Sequence, residues 1–222
     1  VMHKSSTVGL ISGTGDQGHG IALRLAAAGN TLSLGSRSAE KAGQTARLIN
    51  QKIGEERVQG MDNHELVSGC EILFLTVPFA HVEQVINEYR QEFSEGQILV
   101  DVTVPVVFDK GPQLLNLESG SGAEHLQSLL PSGLSLVAAF KTLPAHLLVE
   151  IDSPLACDEF ICSDSSSAKT RVLEVVSQIA SLRWIDAGGL RYSRSLEAIT
   201  LLEIALNRRY RVKEARMQVV GL

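Results

Sequence analysis

The sequence predicts an α/β protein: a doubly wound parallel sheet followed by a smaller C-terminal α/β unit. Three observations carry that expectation. Short apolar runs ended by glycine alternate with segments of helical periodicity along most of the chain. A glycine-rich turn lies between the first such run and the first such helix. The 222 residues, 44% hydrophobic and 20% charged, suffice for one large domain and an appendage.

Residues 7–12 (TVGLIS) are an apolar run stopped by Gly13, the pattern of a buried parallel strand. Ile21, Ala22, Leu25 and Ala28 then recur at helical spacing, and Gly29-Asn30 closes that helix. Residues 31–34 read as a second strand and 38–53 as a second helix. The segment 71–77 (EILFLTV) is the strongest strand pattern in the chain. A helix over 79–93 and a strand at 97–102 follow. Residues 106–122, punctuated by glycine and proline, are expected to form a loop long enough to have a functional role. A short helix at 123–130 and a strand at 135–140 complete a first unit, 1–141. The second unit, 142–222, holds a strand at 160–162, a helix at 166–182, a strand at 183–186 and a final helix at 196–206. That last helix (LEAITLLEIAL) is apolar nearly all round, so it belongs in a core or in a subunit interface. Val1 to Lys4 are set aside as a frayed or appended start.

Composition narrows the function. A net charge of −5 argues against a nucleic-acid partner. No stretch approaches the roughly 18 uninterrupted apolar residues of a membrane span, and no secretion signal is apparent. Cys70, Cys157 and Cys162 are odd in number and lack metal-ligand spacing, which implies reduced thiols in a cytoplasm and no metal site. Residues 183–222 carry eight basic and four acidic side chains, either a solvated helix face or a landing site for an anionic ligand.

The turn reads Gly13-Thr14-Gly15-Asp16-Gln17-Gly18, after a strand and opening a helix, which is the context a dinucleotide fingerprint needs. Gly13 permits the tight turn, Gly15 lets backbone approach a pyrophosphate, and Gly18 lets helix pack on strand. The expected fold is therefore Rossmann-type. An NAD site places a carboxylate at the end of the second strand, but here the chain reads Gly35-Ser36-Arg37-Ser38, with no acid before Glu40. Ser36, Arg37 and Lys41 suit a 2′-phosphate instead, so NADP(H) is the expected cofactor. Thr76-Val77-Pro78 and Val104-Pro105 end two central strands, where extended chain lines the crevice and nicotinamide should lie.

These motifs resemble a known family. GTGDQGHGIALRLAAAGN with LGSRS, then LTVPFAH, FKTLPA and IDAGGLRYSRSLEAIT, are similar to the NADP-dependent oxidoreductases of the deazaflavin coenzyme F420, across nearly the whole chain. A looser resemblance links them to the cytoplasmic reductase domain of six-transmembrane metalloreductases. The resemblance implies that Thr14, Gly15, Asp16 and Gln17 cradle the phosphates, and that Ser36, Arg37 and Lys41 hold the 2′-phosphate. It assigns nicotinamide and its carboxamide to Val77, Val104 and Ala145. It also implies a homodimer, with the deazaflavin stacked on nicotinamide between the domains. Two departures fall on the second-substrate side. Lys141 stands where the family usually has histidine, and the tail from Arg208 to Lys213 replaces a more apolar, glycine-bearing one.

Hydride transfer needs no nucleophile or metal, only two rings held face to face in a dry pocket. In keeping with that, no triad, ligand cluster or paired carboxylates are apparent. Lys141 has three readings: it stabilises charge on the deazaflavin pyrimidine edge, it is a general acid, or it snorkels to water. His81 is expected to cap or pack near the cofactor. Besides F420 reduction, two readings stay open: an NADPH-dependent reductase of a small carbonyl or imine, and a non-catalytic NADP(H)-binding module.

Overall fold

Runs such as VGLI and ILFL bury every residue, so they can only be strands covered on both faces. In the computed structural model, which describes residues 7–222, they sit at the centre of an eight-stranded sheet. Val1 to Lys4 lie outside the described residues. The strands are β1 (Val8–Ile11), β2 (Leu32–Ser36), β3 (Val58–Asp62), β4 (Ile72–Leu75) and β5 (Ile98–Asp101). They continue with β6 (Val106–Phe108), β7 (Pro112–Leu114), β8 (Ser135–Ala138), β9 (Cys157–Cys162) and β10 (Leu182–Gly188). Six of them form a parallel array in the order β3-β2-β1-β4-β5-β8. That is the Rossmann order, with the direction of winding reversing between β1 and β4.

The helices are α1 (Asp16–Ala27), α2 (Ala39–Ile53), α3 (Asn63–Gly69), α4 (Val82–Glu88), α5 (Gly122–Leu129), α6 (Ala145–Leu148), α7 (Ser166–Val176) and α8 (Ser193–Tyr210). Side chains alternate between the sheet's faces. Val8, Leu10, Ile72 and Phe74 pack with α1, α2 and α7, whereas Ile11, Leu73 and Leu75 pack with α3, α4, α5 and Leu196 of α8.

Register shapes the functional edge. Ile11, Leu75, Asp101 and Ala138 lie level with one another, so four strands end flush. β9 runs antiparallel to β8 and meets it only at Ala138↔Cys162, the last residue of each. The rest of β9, with β10 parallel to it, therefore projects past the carboxyl edge and walls off one side. The boundary expected at 141/142 falls just after β8, yet β9 and β10 continue the same sheet.

Several elements differ from expectation. β3 and α3 were not anticipated: VQGMD is a half-exposed edge strand without an apolar run, and α3 has only seven residues. Gly60 is needed there, because a Cβ would lie 2.2 Å from the α2 backbone. Within 106–122, expected to be loop, β6 and β7 pair as an antiparallel hairpin that packs on α8. The helix expected over 79–93 is a 3₁₀ turn, Phe79–His81, followed by the short α4. α8 is longer than expected, and its buried face carries Glu197 and Glu203 as well as Leu196.

Candidate functional site

The glycine turn opens the cleft. Ser12 adopts φ +57°, and Asn63 holds it there by accepting from Ser12 N–H at 3.1 Å and donating to Ser12 Oγ. Gly35 makes room for Asn63, whose Oδ1 would sit 2.4 Å from a Cβ at that position. Gly13 N–H donates to Gly35 O at 2.9 Å, tying the turn to β2. A Cβ on Gly18 would lie 2.6 Å from both Gly13 Cα and Thr76 Oγ1, so this glycine sets how closely α1 approaches the sheet. Thr76 Oγ1 donates to Ile11 O at 2.7 Å, locking the ends of β1 and β4. Gly15 differs: it caps α1, and a Cβ there would meet nothing within 4 Å. That open space faces the free N–H groups of the first turn of α1, a ready anion site. The cradle fits a pyrophosphate. Thr14 is half-buried in the turn, while Asp16 and Gln17 begin the helix.

At the end of β2, Ser36 Oγ accepts from Ser38 N–H at 3.3 Å, and Ser38 caps α2 by accepting from Lys41 N–H. Arg37 and Lys41 are exposed beside that helix start. The end of β2 holds no carboxylate, which fits a 2′-phosphate.

The strand ends enclose a cavity of about 650 Å³. Gly15, Asp16 and Gln17 form one end of it, and Thr76, Val77, Pro78, Val104 and Ala145 line its sheet side. Facing them are Thr200, Glu203 and Ile204 of α8, with Val212 and Lys213 of the tail. Ser36, Arg37 and Lys41 lie outside this cavity, as does His81, which is exposed on the 3₁₀ turn. Ala145 opens α6, and α6 is anchored by a residue the sequence did not single out. Arg24 of α1, 5% exposed, donates to the carbonyls of Leu147, Leu148, Glu150 and Ser153 at 2.6–3.2 Å, capping that short helix.

Lys141 belongs to the cavity wall, but its ammonium faces away from solvent. It donates to Asp101 Oδ2 at 2.7 Å and to Thr103 O, and lies 3.5 Å from Glu197 Oε1. All three side chains are essentially inaccessible. Burial alone would lower the lysine pKa, yet Asp101 and Glu197 outweigh it and raise the pKa. Burial raises Glu197, with Lys141 and the N–H groups of Gly122 and Ala123 opposing. This network ties β5, α5 and α8 together behind the Val104 segment. It neither snorkels nor presents a free proton to the cavity.

Paired carboxylates, not apparent in the sequence, do occur. Glu159 of β9 and Glu203 of α8, 44 positions apart in the chain, are both buried, and Glu159 accepts from Thr142 Oγ1 at 3.2 Å. Burial pushes Glu159 up to about 7, and burial together with Glu159 pushes Glu203 up to about 8. Among the described residues, no group of three His, Cys, Asp or Glu is arranged to hold a metal. The three cysteines are buried and unpaired.

Residues 7–105 match the protein family described as NADP oxidoreductase coenzyme F420-dependent. The F420-dependent NADP reductase of Methanocaldococcus jannaschii is 34% identical over 222 residues, covering 97% of this chain and 98% of the relative. The chain belongs to the F420-dependent NADP reductase family. The reductase of the same name from Methanothermobacter thermautotrophicus is also 34% identical, covering 97% and 95%. Metalloreductase STEAP3 of Rattus norvegicus is 29% identical over 90% of this chain but only 38% of its own length. Among solved structures, a putative F420-dependent NADP reductase from Arthrobacter sp. FB24 superposes with a TM-score of 0.79 at 21% identity, covering 97% of this chain and all of that one. That likeness is one of fold.

Proposed function

We propose that this chain transfers a hydride between NADP(H) and coenzyme F420. The observation that carries this reading is that one cavity joins the phosphate cradle to the strand-end wall and to Thr200, Glu203 and Ile204 of α8. Nicotinamide supplies or accepts the hydride when bound. The residues do the rest. Thr14, Gly15, Asp16, Gln17 and the α1 N-terminus bind the pyrophosphate, with Gly13 and Gly18 shaping the turn. Ser36, Arg37 and Lys41 hold the 2′-phosphate. Thr76, Val77, Pro78, Val104 and Ala145 form a mostly apolar wall that orients nicotinamide and excludes water. His81 borders this region from the surface.

Lys141 acts here as a positioning residue, holding the 102–104 segment through Asp101 and Thr103 O. With its donors so committed, Lys141 is not the acid that a carbonyl or imine reductase would need. Residues 142–222 are the second-substrate and dimerisation unit. Phe108, Leu202, Tyr210 and Val212, between 49% and 71% exposed, supply apolar surface for a homodimer. Three unpaired buried cysteines support a cytoplasmic location. The partners are small molecules, with no nucleic acid and no membrane. Mixing enzyme, NADPH and F420 and following the loss of deazaflavin absorbance tests the reading. Tight NADPH binding without turnover on any acceptor favours a non-catalytic module instead.

A further inference from the structure

The proposed reaction consumes a proton as well as a hydride, and nothing assigned so far supplies it. Lys141 cannot, with its ammonium turned to Asp101, Glu197 and Thr103 O. Apart from Asp16 at the phosphate end, the acid that lines the cavity is Glu203 of α8. Glu203 is 3% exposed, and its Oε1 is fully buried without a hydrogen-bond partner. Among the described residues, the one other such oxygen is Glu92 Oε2, which is not a cavity residue. Buried polar atoms in native proteins are nearly always satisfied, and in the wall of a ligand cavity the ligand is the natural partner.

The groups around Glu203 indicate its protonation. Glu159 of β9 disfavours its charge and the Met217 N–H of the tail favours it, while Glu203 in turn raises the Cys157 thiol of β9. Arg216 influences Cys157, but its guanidinium donates to Leu155 O; Lys213 lines the same cavity. Glu159 is itself held by Thr142 Oγ1 at 3.2 Å and by the backbone N–H groups of Lys141 and Thr142. Two buried carboxyl groups, one raising the other, resist ionising together, so the pair retains a proton near neutrality. The backbone donors favour charge on Glu159, leaving the proton on Glu203, whose pKa is pushed up to about 8.

We propose that Glu203 is the proton donor to the second substrate, giving its proton to the polar ring edge as the hydride arrives and taking it back in the reverse direction. This rests on the reading of a deazaflavin as that substrate. The balance is NADPH, oxidised deazaflavin and one proton on one side, NADP⁺ and dihydro-deazaflavin on the other. The C4–H bond of the nicotinamide breaks with its electron pair and a C–H bond forms at deazaflavin C5. The pair displaced through the ring becomes an N–H bond at the pyrimidine edge, taking the proton as the Glu203 O–H bond breaks. The carboxylate left behind is reprotonated from solvent.

Glu203→Gln keeps the shape and removes the proton. A general acid contributes about 100-fold or more, so kcat for F420 reduction should fall by at least that factor at pH 7, with the Kd for NADPH unchanged. In the wild type, kcat/KM should fall as pH rises through about 8, as Glu203 ionises; the variant should lack this alkaline limb. Independently of turnover, a wild-type minus variant infrared spectrum at pH 7 should contain the C=O band of a protonated carboxylic acid, shifted when the deazaflavin is added. A variant that turns over at the wild-type rate with the same alkaline limb overturns the inference. So does a difference spectrum without that band, which needs no active variant. A wild type that binds NADPH but never reduces F420 overturns the substrate reading itself, and the inference with it.

Discussion

Replacing Lys141 with methionine separates a positioning role from a chemical one. The side chain is wholly buried, 2.7 Å from Asp101 and 3.5 Å from Glu197, and it also donates to Thr103 O. Methionine fills much of the same volume but leaves two buried carboxylates without their cation. Removing one partner of a buried ion pair typically costs about 3–5 kcal/mol. For a chain of this length that lowers Tm by roughly 6–20 °C. The loss should depend on pH. Lys141 opposes the burial that raises Glu197, so without it the Glu197 pKa rises further above its unfolded value. A group raised in this way favours the folded state below about pH 4 and loses that contribution as pH climbs. The deficit of the variant should therefore be small near pH 5 and largest near pH 8, as measured by urea unfolding at both. NADPH affinity should weaken only modestly. A variant within about 1 kcal/mol of wild type at pH 8 but devoid of turnover would refute this reasoning. It would restore Lys141 as an acid for a carbonyl or imine.

The cofactor assignment predicts that Arg37→Ala raises KM for NADPH about 10–100-fold, a loss of roughly 1.5–3 kcal/mol, with NADH use nearly unchanged; equal losses with both cofactors would remove Arg37 from the 2′-phosphate site. Two glycines in the same turn should behave oppositely. Gly15→Ala, with no atom within 4 Å of the new Cβ, should leave stability within about 0.5 kcal/mol and weaken NADPH binding. Gly18→Ala, 2.6 Å from Gly13 Cα, should destabilise by about 1–3 kcal/mol in thermal unfolding. For assembly, Leu202→Glu should convert a dimer into folded monomers by light scattering. Ile199→Glu should also cost stability, because Ile199 packs on the second core. A monomeric wild type would return the exposed face of α8 to solvent.

The parts of the fold that sequence made legible are those governed by local pattern. β1, β4 and β5 are runs with little polar interruption, and Gly13, Gly15 and Gly18 have roles that follow from backbone geometry alone. β3 escaped notice because Gln59 and Gly60 break its apolar character at a sheet edge. The β6–β7 hairpin escaped because two three-residue strands carry no periodicity. Other gaps come from contacts distant in sequence. Arg24 looks like a solvated helix residue until the carbonyls around 147–153 close over it. Glu197 and Glu203 vanish into the apolar pattern of α8, although they are among its buried side chains. Lys141 could not be assigned without Asp101, forty residues earlier.

The most direct test of the account mixes NADPH with the protein and F420, and follows both chromophores together. The account predicts that they bleach in a one-to-one ratio, that NADH is at least about 100-fold poorer as donor, and that small carbonyl and imine acceptors give no comparable rate. NADPH oxidation with a carbonyl or imine while F420 stays unreduced would contradict it.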